Sequence, residues 1–534
     1  MMGRMKGPRE ILVLTLLGGA VLGTSTGCRV DDADVHRWEQ TEHGPEKLVA
    51  VLEHDKYSNA LRVEAAMSLV RMRPRNGRRI GTELMTDAMS TLPTDARTKV
   101  IDGQPPDVEG MAPQLIKQIQ LPPPVRKADG TMPEDKSIPF KDAAFALLTH
   151  DPPLVTNEST KAALSAALTQ WAQADFETRL ENPSQQFGIE QIMRFLGPSS
   201  VKGLPALITE QSTKVDRIVG LVADLGDDAT KLAASHNLVS LAKAIDSTAW
   251  FEKQKVIVQK ADDDAKQKVS KEQLQAQVLK YQDQELTKDF SSMKRLGGKP
   301  VVDYLIQYSG NATNSPERRK TALAALEGRI DKNNVADVER IFAIAKDENT
   351  PDEVRDLAFA RLGELPKEQV VPRLYTLFGA RKWKVRWVAA TKVLQIITPR
   401  QIPEFMSHLP VNSAVKMGMS EPLSYGPLLV NMEHKELPPG EPKVRDLVLG
   451  YLNGAQVGAK LTAISYFYQG KKADLGIVQA KQADPQVVAK CEKDDGCDWQ
   501  CEVAKPGSTD KEVKTIANVG EFARDCVAPS MVNP

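Results

Sequence analysis

The chain has 534 residues, with 70 basic and 70 acidic side chains and no formal net charge. It is several times longer than one compact core needs, so three or four domains or one extended repeat array are expected. The charge balance argues against nucleic acid as a general partner, since such binders carry a basic excess, and the low aromatic fraction of 5% beside abundant Ala, Leu, Val, Lys and Glu favours helix.

Residues 1–28 read as an export signal. Basic Arg4, Lys6 and Arg9 precede the apolar run Ile11 to Gly23, which is shorter than the about 20 residues of a membrane span. Ser25-Thr26-Gly27-Cys28 follows and resembles the lipobox of bacterial lipoproteins, with Ser25 where that family usually has Leu. The resemblance implies a lipid on Cys28 and an exported, membrane-anchored protein facing the periplasm or the cell surface. Ordinary cleavage near the same place and an uncleaved anchor are the alternatives. Residues 29–44 are expected to form a flexible tether. Its His36 and His43, near Asp31, Asp32 and Asp34, fit an acidic solvated segment better than a metal site, which needs fixed ligands.

From residue 45 onward one pattern recurs. Apolar groups at steps 0, 3, 4, 8 and 11 mark one helical face, with a basic residue second and a small residue three positions after it. Arg62 with Ala65, Lys141 with Ala144, Arg319 with Ala322, Arg355 with Ala358 and Arg386 with Ala389 carry it, and Arg217 with Gly220 and Lys460 with Ala463 are weaker copies. Arg319 to Arg355 is 36 residues and Arg355 to Arg386 is 31, so a unit is roughly 35 to 45 residues, the period of a two-helix solenoid repeat. The run Asp347 to Ala358, a turn followed by Val-Arg-x-x-Ala, resembles HEAT repeats. That resemblance implies an all-α solenoid of antiparallel helix pairs, in which the Arg bonds within the stack. Two repeat regions are predicted, 45–250 and 300–484. A proline-rich insertion, 103–139, holds one short helix at Gln114 to Gln120, and 251–299 is a long charged amphipathic helix with Leu274, Val278, Tyr281, Leu286, Phe290 and Met293 on one stripe.

Residues 485–534 hold the other four cysteines, Cys491, Cys497, Cys501 and Cys526. In an exported chain an even count implies disulfides, and the spacing lacks the paired Cys-x-x-Cys of zinc ribbons. The segment is predicted to be a disulfide-bonded helical cap, with helices at Pro485 to Lys493 and Lys511 to Val527. Cys491–Cys497 with Cys501–Cys526 is the favoured pairing, and Cys491–Cys501 with Cys497–Cys526 the alternative.

No nucleophile elbow, phosphate loop or His-Glu-x-x-His is present, so no enzyme, cofactor or metal is expected. Asp262-Asp263-Asp264 lacks the Gly and distal Glu of a calcium loop. The surface candidate is Arg381, Lys382, Trp383, Lys384, Arg386 and Trp387, cations and indoles suited to a partner's carboxylates or to anions; inward packing of Val385 and one Trp within the stack is the competing reading. The expected function is a binding scaffold that docks a protein or peptide of the cell envelope on the concave face of the solenoid. The alternatives are an envelope structural or assembly factor, and a chromophore-attaching enzyme, since some HEAT-like repeats resemble those of phycobilin lyases.

Overall fold

The computed structural model describes residues 30–532, apart from 75–77, 105, 128–130, 183, 266–268, 410–415, 418–423, 437–438, 489–498 and 506–509. Cys28, Cys491 and Cys497 therefore lie outside the described residues. The chain divides into two compact units, Met1–Leu196 and Gly197–Pro534, a boundary inside the predicted segment 45–250. Among the described residues no helix is long and apolar enough to cross a membrane.

The first unit starts earlier than expected. Part of the predicted tether is a helix, Asp32–Trp38, opened by a capping box between Asp31 and Asp34 and anchored by a fully buried Val35. The acidic residues that suggested a solvated segment sit at the helix N-terminus, where the backbone donors and dipole favour them. Ser68 and Arg71 each donate to Glu39 at 2.8 Å, fastening this helix to Asn59–Arg71. Gly44–Glu53 pairs with Asn59–Arg71 as the first hairpin. The proline-rich insertion is more structured than a loop. Gly103–Gln104 pairs antiparallel with Val108–Glu109, and Met111–Ile119 is a helix that buries Leu115 and Ile119. Pro113 sits in its first turn, where no backbone donor is required.

Burial of charge sets off the helix Ile138–Thr149. Lys141 and Asp142 are both fully buried and 2.6 Å apart, with Arg79 3.1 Å from Asp142. Asp142 accepts from the backbone N–H groups of Gln186 and Phe187 at 3.0 and 3.2 Å, and Lys141 donates to the carbonyl of Phe187. Burial pushes the Lys141 ammonium down from its ordinary value, while Asp142 opposes the shift. The network ties the 184–187 strand of chain to this helix, a job distinct from that of the other repeat cations.

In the second unit the repeat geometry is clearest from Lys299 to Ile396. Lys299–Gly310 pairs with Pro316–Ala325, Val335–Lys346 with Asp352–Leu362, and Lys367–Thr376 with Trp383–Ile396. First helices of successive pairs pack together, as Lys299–Gly310 does on Val335–Lys346. Second helices do the same, from Pro316–Ala325 to Asp352–Leu362 to Trp383–Ile396. Two parallel layers result, the arrangement of a helical-repeat stack. The predicted long helix 251–299 is two helices, Thr248–Asp264 and Lys271–Leu296, the second opened by a capping box between Ser270 and Gln273. Its predicted stripe is buried except at Tyr281, which stays exposed and stacks on Trp250.

The C-terminal segment differs from the expected helical cap. Gln500–Ala504 and Lys511–Thr515 form an antiparallel hairpin, joined in parallel by the short strand Lys416–Met417. Pro485 does not open a helix either; Val487 bridges Asn518. Helical turns resume only at Val519. Lys511-Glu-Val-Lys-Thr carries charge at helix-compatible positions, but pairing with Gln500–Ala504 gives its backbone partners in strand form. Cys501 and Cys526 are bonded with Cα atoms 5.7 Å apart, so the favoured pairing is found for these two cysteines.

Candidate functional site

The repeat cations explain how the hairpins hold their turns. A helix leaves its last four carbonyls without intrahelical donors, and a buried carbonyl without a partner is costly. Arg62 donates from Nε to the carbonyl of Leu52 at 2.8 Å, and Arg319 to that of Ser309 at 2.7 Å. In both cases the acceptor is the next-to-last residue of the preceding helix. Burial pushes both guanidinium groups down. Arg355 reaches three carbonyls of the connecting turn, Asp347 at 3.2 Å, Glu348 at 3.3 Å and Thr350 at 2.7 Å, and donates to Asp352 at 2.6 Å. Arg386 reaches Ala380 and Arg381 at 2.6 and 2.7 Å. Arg62 and Arg319 thus tie their helices to the end of the one before, and Arg355 and Arg386 tie theirs to the connecting turn. The small residues Ala65, Ala144, Ala322, Ala358 and Ala389 are all fully buried, which lets neighbouring helices approach.

The weaker copies act differently. Lys460 donates to Asp484 at 2.8 Å. Arg217 is exposed, and its partner position Gly220 makes room for the guanidinium of Arg295, 2.6 Å from where a Cβ would stand.

The structure distributes the Arg381–Trp387 cluster among contacts between successive repeats. Glu348 accepts from the backbone N–H groups of Arg381 and Lys382 at 2.7 and 3.2 Å, and the Lys382 ammonium donates to the Glu348 carbonyl. Lys384 donates to Asp352 at 2.8 Å, a bond that holds the Asp352 carboxyl below its ordinary value against partial burial. Arg386 is buried at its turn, and Trp387 stacks on Tyr425 with ring centroids 4.4 Å apart. Arg381, Lys382 and Lys384 remain exposed at the surface, with Trp383 half-buried.

Periodicity alone could not reveal the groove between the first helices of successive pairs. Lys299–Gly310 and Val335–Lys346 flank an open groove of 590 Å³ lined by Asp303, Gln307, Arg340, Ile344 and Asp347, together with Arg319 of the second helix and Thr350 of the turn. Arg340 donates to the Asp303 carboxylate at 2.7 Å and to its carbonyl at 2.9 Å, and Lys299 donates to the same carboxylate at 2.6 Å. Burial raises the Asp303 carboxyl, but these two donors outweigh it and hold the group below its ordinary value. Gln307 and Gly310 are exposed at the rim. The groove thus presents fixed charges of both signs and backbone brought to the surface.

Among the described residues one set of metal-type ligands converges, His36, Glu39 and Glu64. The guanidinium of Arg71 donates to both carboxylates and supplies the positive charge between them. His43 and the aspartates near it do not join this set.

No family model matches the chain, and no curated protein is similar to it by sequence. It is similar to solved helical structures at low identity. A mutant of Kap121p is 10% identical with a TM-score of 0.28, over 84% of this chain and 47% of that one. Kap121p itself is 14% identical with a TM-score of 0.24, over 85% and 40%, and importin beta 11% identical with 0.22, over 84% and 60%. The chain spans about half the length of the chains it matches. The helical-repeat fold is assigned from the stacked hairpins themselves.

Proposed function

We propose that this protein is a membrane-anchored scaffold, exported from the cytosol, that docks a protein or peptide of the cell envelope and carries out no catalysis of its own. The observation that carries the reading is the groove along successive first helices, where Asp303, Gln307, Arg340 and Asp347 present fixed polar groups on a rigid stack. Repeat stacks expose long surfaces of this kind and bind by many weak contacts. The basic leader, the short apolar run and Cys28 support export and lipidation. The Cys501–Cys526 bond agrees with an oxidising compartment.

Site-specific photocrosslinking in the native cell tests this. A photoreactive residue at Gln307, exposed in the groove, is expected to give one discrete crosslinked partner. The same probe at Glu317, exposed on the second-helix layer, is expected to give none. Equal crosslinking at both positions, or none at Gln307, contradicts docking on the first-helix face.

A further inference from the structure

Beside its buried stripe, the helix Lys271–Leu296 carries a row of mostly polar residues that the docking groove does not use. Tyr281, Glu285, Lys288, Ser292 and Arg295 recur at steps of four and three, which places them on one side of the helix. They line a half-open cavity of 790 Å³ whose other walls are residues of Val215–Leu225, Asp228–Ile245, Thr248–Asp264 and the segment 209–213. Such a volume suits a small organic ligand. One wall is aromatic, with Trp250 stacked on Tyr281 at 5.5 Å between centroids and 28° between planes.

The cations around this cavity face carboxylates already. Lys288 donates to Glu285 at 2.6 Å, Arg295 lies 3.7 Å from Asp224, and Lys253 lies 3.5 Å from Glu210. Asp289 is the exception. It lines the same cavity, is only 3% exposed, and neither of its carboxylate oxygens accepts a hydrogen bond. A buried acceptor left so costs free energy, and an occupant with N–H donors removes that cost. Burial alone pushes the Asp289 carboxyl well above its ordinary value.

We propose that this cavity binds a small amphipathic organic cation whose ammonium or guanidinium group donates to Asp289 and whose apolar body lies against Trp250 and Tyr281. Asp289 lies eight residues after Tyr281, about 12 Å along the helix axis, so the ligand is an aryl-alkyl amine in length rather than a bare ammonium ion. Cation and ring together also match the general preference of positive charge for indole and phenol faces. The titratable groups around Asp289 are Glu210, Asp216, Tyr281, Glu285, Lys288 and Arg295 along the cavity and Tyr304 from Lys299–Gly310. Because burial keeps Asp289 protonated to higher pH, capture of a cation ionises it. One proton leaves to the buffer, and affinity rises with pH until Asp289 is ionised without ligand.

Calorimetry on the full-length protein tests the site with phenylbutylamine and its neutral counterpart phenylbutanol. The amine is expected to bind at least tenfold more tightly and to release protons, seen as a heat that depends on the buffer. Asp289→Asn is expected to remove that tenfold preference, with the Tm read beside it to show that the fold is kept; Asp289→Ala, which removes the polar group, repeats the comparison independently. A capped phenylalanyl-arginine dipeptide separates the two sources of the cation: tighter binding than the amine assigns the site to a polypeptide side chain, weaker binding to a free small molecule. Equal binding of amine and alcohol, binding of neither, or an amine affinity unchanged in Asp289→Asn overturns the proposal.

Discussion

At the scale of the residue, Arg62, Arg319, Arg355 and Arg386 satisfy carbonyls at the end of the preceding helix or in the connecting turn. Arg355 is 2% exposed and serves three carbonyls at once, a geometry that needs the forked guanidinium. Arg355→Ala is expected to cost about 2–4 kcal/mol, because it strands buried carbonyls. Arg355→Lys keeps the charge and loses the fork, for a cost about half as large. Arg217→Ala, at an exposed position, is expected to cost under about 0.5 kcal/mol. Urea unfolding midpoints check the order, and equal losses at Arg355 and Arg217 contradict the capping role. The spacing of basic and small residues made this feature readable before the fold was known. What the basic residue touches was not readable: Arg62 and Arg319 reach carbonyls ten residues back, whereas Lys141 reaches forward to Phe187. That choice depends on which segment lies over the helix, and no local pattern encodes it.

At the scale of the element, helix periodicity was the strong signal and charge composition the misleading one. The hairpins from Lys299 to Ile396 follow the predicted apolar faces. The expected tether at 29–44 and the expected helix at Lys511 both failed where charged residues hid a structural role. Asp31 and Asp34 cap a helix, and Lys511–Thr515 pairs as a strand. The Cys501–Cys526 bond ties the first strand of that hairpin to the helical turns after the second, closing a loop of 25 residues in sequence separation. Closing a loop of that size stabilises by about 3 kcal/mol in the chain-entropy account. Mild reduction is therefore expected to speed amide exchange in Gln500–Ala504 on the order of a hundredfold, while the helices between Lys299 and Ile396 keep their protection. Unchanged exchange in the strand contradicts a stabilising role for the bond. The cavity beside Asp289 was invisible in the sequence for a related reason. Its walls come from four helices and a connecting segment, and Asp289 read as one charge among many on a solvated helix.

At the scale of the whole molecule, the stacked helices supply surfaces, and the proposal of an envelope partner rests on residues 1–28. From Lys299 to Ile396 each hairpin packs on the next and buries its small residue, so the groove between Lys299–Gly310 and Val335–Lys346 is already formed for docking. The proposed envelope scaffold joins that surface to a proposed export signal and lipid on Cys28, and the proposed choice of partner depends on them. The most direct measurement is the intact mass of the protein extracted from the membranes of its native cell. The account predicts a chain that begins at Cys28, carries acyl mass, and has the four C-terminal cysteines oxidised. A chain that still begins at Met1, without acyl mass and with free thiols at those positions, would contradict it.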